Sequence, residues 1–285
     1  MALLKRPAAV EGGAGSGHRD AAAIPSGHVL AGADAGGFDL WTVEAMGTVF
    51  TFHLKGTADR MDAMGRVARE LEEIEDRFSL FRPESEVSRL NRGLVGSASP
   101  EMEEVMVLGE AAREASQGYF DPWASGAGFD PTGLVKGLAV ERSLKLLLDL
   151  GFEEAIANGG GDIALSTAVP EPVGIRHPFV RDALCAVALC SSAIASSGLY
   201  ERGRHIYNPR GGSLKAVAAT VVGAPLWLGD ALATALVAAG PSLLPSVGDG
   251  FEAFTVDKEG ELAFTPGFPF ASPRGIATGA PSPLR

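Results

Sequence analysis

The chain has 285 residues, 46% of them hydrophobic, which is enough for one large domain or two small ones with a sizeable core and excludes disorder throughout. Its formal charge of -11 and the absence of any Lys/Arg cluster exclude a nucleic-acid backbone as an expected partner. The two cysteines, Cys185 and Cys190, stand at odd spacing in an apolar run. That places them on opposite faces of a strand, so they read as small buried residues, not as a disulfide or a zinc pair.

Residues 1 to 38 are rich in Gly, Ala and Ser without periodicity and read as a loose extension. The first residues, Met-Ala-Leu-Leu-Lys-Arg-Pro, lack the apolar core of a secretory signal. No uninterrupted apolar stretch is long enough to span a bilayer, so no membrane insertion is expected and the expected location is cytoplasmic. Trp41 to Leu54 predicts two strands meeting near Met46-Gly47, with Phe50, Phe52 and Leu54 alternating against Thr51 and His53. Met61, Met64, Val67, Leu71, Ile74 and Phe78 recur at helical spacing. Ser99 and Pro100 have the character of an N-cap and first helical position, for a helix stopping near Gly118. A third helix is expected from Gly133 to Leu150, stopped by Gly151.

Strands are then predicted at Ala155 to Ala157, Asp162 to Leu165, Val173 to Arg176, Leu184 to Cys190 and Ala218 to Val222. Asp230 to Ala239 predicts a helix ended by Gly240, and Phe254 to Phe264 a hairpin turning at Lys258-Glu259-Gly260. From Pro266 the chain repeats Pro, Gly and Ser and reads as a flexible tail. The expected division is therefore an extension over 1–38, one domain over 39–265 and a tail over 266–285. Its fold class is α+β with mostly antiparallel sheets.

Walker, Rossmann, HExxH and GxSxG spacings are absent or out of context. Four segments remain that can carry chemistry. In Gly128-Phe-Asp-Pro-Thr-Gly-Leu-Val-Lys136, Asp130 or Thr132 can cap a helix with Lys136 in its first turn, where a cation opposes the helix dipole unless an anion intervenes. A solvated lysine is the plain alternative. Asn158-Gly-Gly-Gly161-Asp162 lets the backbone bend and approach a ligand, although such runs are commonly turns. Asp230 and Thr234 are four apart on a helix and offer hard oxygens suited to Mg²⁺; the structural alternative is a dipole-favoured Asp and a back-bonded Thr. His205, in Ser196-Ser-Gly198 through Pro209, can serve as a base near neutral pH or as an ordinary hydrogen-bonding residue.

Taken in order, these blocks resemble the ApbE family of FAD:protein FMN transferases over roughly Trp41 to Gly240. The matching pieces are Met46-Gly-Thr48, Phe78-Ser-Leu-Phe-Arg-Pro-Glu-Ser-Glu with Asn91, Gly118-Tyr-Phe-Asp121-Pro and Asp130 to Gly137. Asn158 to Asp162, Ser196-Ser-Gly198, His205 to Pro209 and Asp230-Ala-Leu-Ala-Thr234 continue the series. The resemblance implies helices and antiparallel sheets around a central FAD cleft. It implies an FAD site lined by Met46, Phe81, Tyr119, Phe120, Asp121, Asp130, Lys136 and Tyr207. It also implies Mg²⁺ on Asp230, Thr234 and the Gly133 carbonyl, and His205 as the catalytic base.

The activity so implied is Mg²⁺-dependent transfer of FMN from FAD to a threonine of an acceptor protein, with release of AMP. The chain departs from the family pattern His-Ile-x-Asp-Pro-x-Thr-Gly at Asn208 and Gly211, and an Asn cannot orient a histidine as a carboxylate does. Two rival readings follow, hydrolysis of FAD to FMN and AMP, and a catalytically impaired FAD-binding protein. Asp249 to Thr255 shares only the ends of a flavin-acceptor motif, so self-modification is not expected.

Overall fold

The computed structural model describes residues 31–33, 37–199 and 206–271. The expected hairpin forms as β2 (Asp39–Ala45) and β3 (Thr48–Lys55), with a short β1 (Ala31–Ala33) added at its edge. Phe50, Phe52 and Leu54 are fully buried, as period-two alternation requires when one face meets a core. Helix α1 (Arg60–Phe78) starts at Asp59, whose side chain accepts the N–H groups of Met61 and Asp62. Its buried stripe begins at Ala63 and Met64; Met61, counted in the stripe from spacing alone, lies on the exposed side.

A short helix α2 (Glu86–Asn91), unanticipated from the sequence, is capped by Ser85. Ser99 caps α3 (Pro100–Ala115) as expected, and Glu86 holds Ser99 in turn through its N–H at 2.7 Å and its hydroxyl at 2.8 Å. Helix α4 runs over Thr132–Asp149. Then come β4 (Glu154–Gly159), β5 (Asp162–Ser166), β6 (Glu171–Arg176), β7 (Leu184–Cys190), β8 (Ala193–Gly198) and β9 (Ala218–Val222). Helix α5 (Leu226–Ala239), a 3-10 turn, and the hairpin of β10 (Glu252–Val256) with β11 (Leu262–Phe264) complete the described chain.

Among the described residues nine strands form one antiparallel sheet in the order β1-β2-β3-β4-β5-β8-β9-β10-β11, and β6-β7 form a separate pair. On one face α4 packs over β4 and β5 while α5 packs over β8 and β9, closing the main core. Against the other face lies the β6-β7 pair, where Ile175, Ala186 and Ala188 meet Leu165, Ile194 and Phe254 in a second core. The result is an α+β fold of three layers.

Three sequence expectations change in this frame. Both cysteines are reduced and buried in the second core, because β7 carries a bulge: Leu184 pairs with Arg176 and Ala186 with Ile175, leaving Cys185 as the extra residue. The bulge turns Cys185 inward despite its odd spacing from Cys190. Chain beyond Pro266 is packed through Ala271, with Leu189 donating to Pro269, Ala271 donating to Val187, and Phe268 buried against Phe254. Finally, Leu226–Ser246 is long and apolar enough to cross a membrane by length and composition, but 72% of its apolar window is buried within the fold. It is the central core helix with its following turn, apolar on nearly every side because sheet and helices surround it.

Candidate active site

A cleft of about 400 Å³ opens between the α1–α2 loop, the start of α4, the end of β8 and the buried side of α5. It gathers Phe81, Tyr119, Phe120, Asp121, Asp130, Gly133, Lys136, Tyr207, Asp230 and Thr234, all singled out from the sequence over an interval of more than 150 positions. Met46 is not in this lining; it lines an adjoining groove of about 460 Å³ with Thr48, Glu72, Glu75 and Arg82. Its N–H donates to Glu75 at 3.0 Å and its φ is +52°. His205 lies outside the described residues.

The start of α4 is set by two clamps. Asn91 donates to the Phe129 carbonyl at 2.8 Å and accepts the Phe129 N–H at 2.9 Å, pinning the loop to α2. Asp130 then accepts from the N–H of Thr132 at 3.0 Å and its hydroxyl at 2.6 Å. Neither Asp130 nor Thr132 is the N-cap; that position is Pro131, with no side-chain cap. Gly133 admits Phe120, whose ring would stand 2.6 Å from any Cβ there. Lys136 is consequently the fifth helical residue, one position beyond the first turn that the sequence suggested.

Its ammonium is ion-paired with Asp162 and lies 3.9 Å from Asp230. Asp162 has no exposed surface, Asp230 has 3%, and Asp230 also accepts the Gly137 N–H at 3.2 Å. Burial, and then the negative charge of Asp162, push the Asp230 carboxyl well above the usual carboxylate range, while Lys136 and the Gly137 N–H act in the opposite sense. Two buried carboxylates thus face one ammonium, and among the described residues Asp162 Oδ1 has no hydrogen-bond partner. Such an oxygen is costly to bury unless a proton or cation meets it.

Thr234 extends the same oxygen-rich wall, with its hydroxyl 3.1 Å from that of Ser197. Asp230 and Thr234, which line the cleft with Gly133, and the buried Asp162 carboxylate near Asp230 make a hard, anionic oxygen set that fits Mg²⁺. Asp162 and Ser197 are the functional candidates that sequence reasoning passed over, although both stand inside blocks it had marked.

Aromatic residues line the same cleft. Phe81 is 90% exposed and Tyr207 is 44% exposed at the mouth. Burial, then Asp130 and Asp121, push the Tyr207 hydroxyl up. The Arg210 guanidinium covers the Tyr119 ring at 4.6 Å. Asn208, at the position where the family carries Asp, is engaged in its own turn: its side chain accepts the Arg210 N–H at 3.0 Å and its carbonyl accepts that of Gly211 at 2.9 Å.

The ApbE family profile matches residues 46–127 and 124–250 of the chain. No curated protein matches it. Among solved structures, the flavin transferase ApbE from Vibrio cholerae superposes with a TM-score of 0.69 at 19% identity, covering 79% of this chain and 96% of that one. An ApbE protein from Thermotoga maritima gives 0.71 at 19% identity over 80% and 97%. The apo flavinyl transferase ApbE of Pseudomonas stutzeri gives 0.66 at 21% over 84% and 94%. The family profile spans most of the described chain and the fold agrees with it throughout: this protein belongs to the ApbE family.

Proposed function

We propose that this protein transfers the FMN half of FAD to a threonine hydroxyl of an acceptor protein, releasing AMP. The observation that carries the reading is one cleft that the flat, exposed rings of Phe81 and Tyr207 share with the Lys136 ammonium and the buried Asp230 carboxyl, Lys136 being paired in turn with the fully buried Asp162. Rings of that kind suit a flavin or adenine, and the charged wall suits a diphosphate. Mg²⁺ would be held by Asp230, Thr234 and the Gly133 carbonyl; when bound it supplies charge neutralisation on the diphosphate.

Lys136, held by Asp162, orients the diphosphate for attack. His205 takes the proton from the acceptor threonine Oγ, which forms a new ester bond to the phosphorus on the riboflavin side. The anhydride bond to that phosphorus breaks, and its electron pair leaves with AMP. Positioning and electrostatics then supply most of the rate.

Incubation with FAD, Mg²⁺ and a target bearing an acceptor threonine is expected to add the mass of FMN to the target. The Asp230→Ala variant should give none. FAD binding without an adduct on a competent acceptor would sink the transfer reading; released FMN and AMP would identify hydrolysis instead. A second reading, FAD binding without turnover, is favoured by the engagement of Asn208 in its own turn, and retained yellow colour with no AMP would identify it.

A further inference from the structure

Glu141 lies on α4 outside the cleft, and its carboxylate leaves its own helix to reach the next one. It accepts the Leu226 N–H at 2.6 Å and the Trp227 N–H at 3.3 Å, the first two residues of α5. Those are donors that a helix start leaves without partners. The local N-cap, Pro225, offers no side-chain cap, and the first turn of α5 carries no acidic residue. Glu141 is therefore a cap supplied by a different helix. A Ser or Asp in place of Pro225 could reach the Trp227 N–H without desolvating a distant carboxylate, but not the Leu226 N–H. It would not tie α5 to α4.

The tie is one rung of a ladder. One turn along α4, the Gly137 position would bring a Cβ within 2.8 Å of the Leu226 carbonyl, so the two backbones touch there. The Gly137 N–H, the ordinary helical donor to the Gly133 carbonyl, also reaches Asp230. One turn further, Gly133 and Thr234 both face the cleft. Glu141 with Leu226 and Gly137 with Asp230 are thus contacts four residues apart on both helices, running antiparallel, and the same step leads to Gly133 and Thr234 in the cleft lining. Because a helix is axially stiff, a slip at the Glu141 rung would carry through to Thr234, about 12 Å away at 1.5 Å per residue.

We propose that Glu141 is a positioning residue that latches α5 to α4 and so keeps Asp230 and Thr234 in register with Gly133 and Lys136. The purpose of the latch rests on the cation and diphosphate role proposed above for those residues. Glu141→Met keeps the side-chain volume and removes the acceptor; Glu141→Gln keeps one accepting oxygen. Hydrogen exchange of the Leu226 and Trp227 amides reads the latch itself, and titration with Mn²⁺ followed by electron paramagnetic resonance reads the cation site without catalysis.

Glu141→Met is expected to exchange both amides faster and to bind Mn²⁺ about 10-fold more weakly while remaining folded. Glu141→Gln should recover affinity to within about 3-fold of wild type, as expected when an outer partner is replaced conservatively. If the Met variant does not fold, the Gln variant must still speed exchange at one of the two amides. Unchanged exchange overturns the latch, and faster exchange with undiminished Mn²⁺ affinity overturns its positioning role. Wild-type protein that binds no Mn²⁺, with exchange still faster in the variants, sinks the cation reading and leaves the latch standing.

Discussion

Phe81 occupies the loop between α1 and α2, beside Arg82, which Glu75 holds at 3.0 Å. At 90% exposure its ring contributes little to the core, and the role proposed for it is to stack on the flavin or adenine. Phe81→Ala is expected to leave stability within about 0.5 kcal/mol of wild type. Flavin fluorescence titration should show FAD affinity weakened by about 1 kcal/mol. An unchanged affinity would remove Phe81 from the site. Lys136 was marked from the sequence as an anion-binding cation; Asp162 was visible only as the end of a glycine run. The pair is separated by 26 positions and is brought together by the packing of α4 on β5, which no local spacing encodes.

At the level of elements, α4 and α5 meet closely where one side chain is absent, at Gly137, and where one cap is borrowed, from Glu141. The cap has a pH signature. Burial raises the Glu141 carboxyl above its ordinary value of 4.5, against the pull of the two N–H donors. Above its folded-state pKa the group is ionised in both states and its burial counts against the fold. As pH falls from there toward 4.5, the native state takes up a proton that the unfolded chain does not, and stability rises. Glu141→Gln has no such titration. Urea unfolding at a series of pH values should therefore show the stability of wild type relative to Glu141→Gln increasing on acidification through this window. A difference that shrinks would reverse the assigned shift. Helix starts such as Ser99-Pro100 were legible because cap and helix are neighbours in sequence; the start of α5 was not, since its cap lies 85 positions upstream.

At the scale of the molecule, the helical layer and the β6-β7 pair clamp one long sheet between two cores. Phe268 belongs to the second core, with its ring 5.6 Å from Phe254 and 4.7 Å from Phe270. Phe268→Ala should lower unfolding free energy by about 3 kcal/mol in urea denaturation. A negligible loss would restore the reading of this segment as tail. Its turn-rich composition describes the backbone it needs, not the two phenylalanines it delivers to the β6-β7 layer. Most helices and strands are legible along the chain, because periodicity and neighbouring caps act within a few residues. The order of its motifs also revealed the family, and most of the cleft residues followed from it. Only the tertiary structure decided that Lys136 pairs with Asp162, that Met46 lines a second groove, that a bulge turns Cys185 inward, and that Glu141 caps α5. Each of these depends on burial and on backbone groups left unsatisfied far away in sequence, quantities that exist only once the layers have packed.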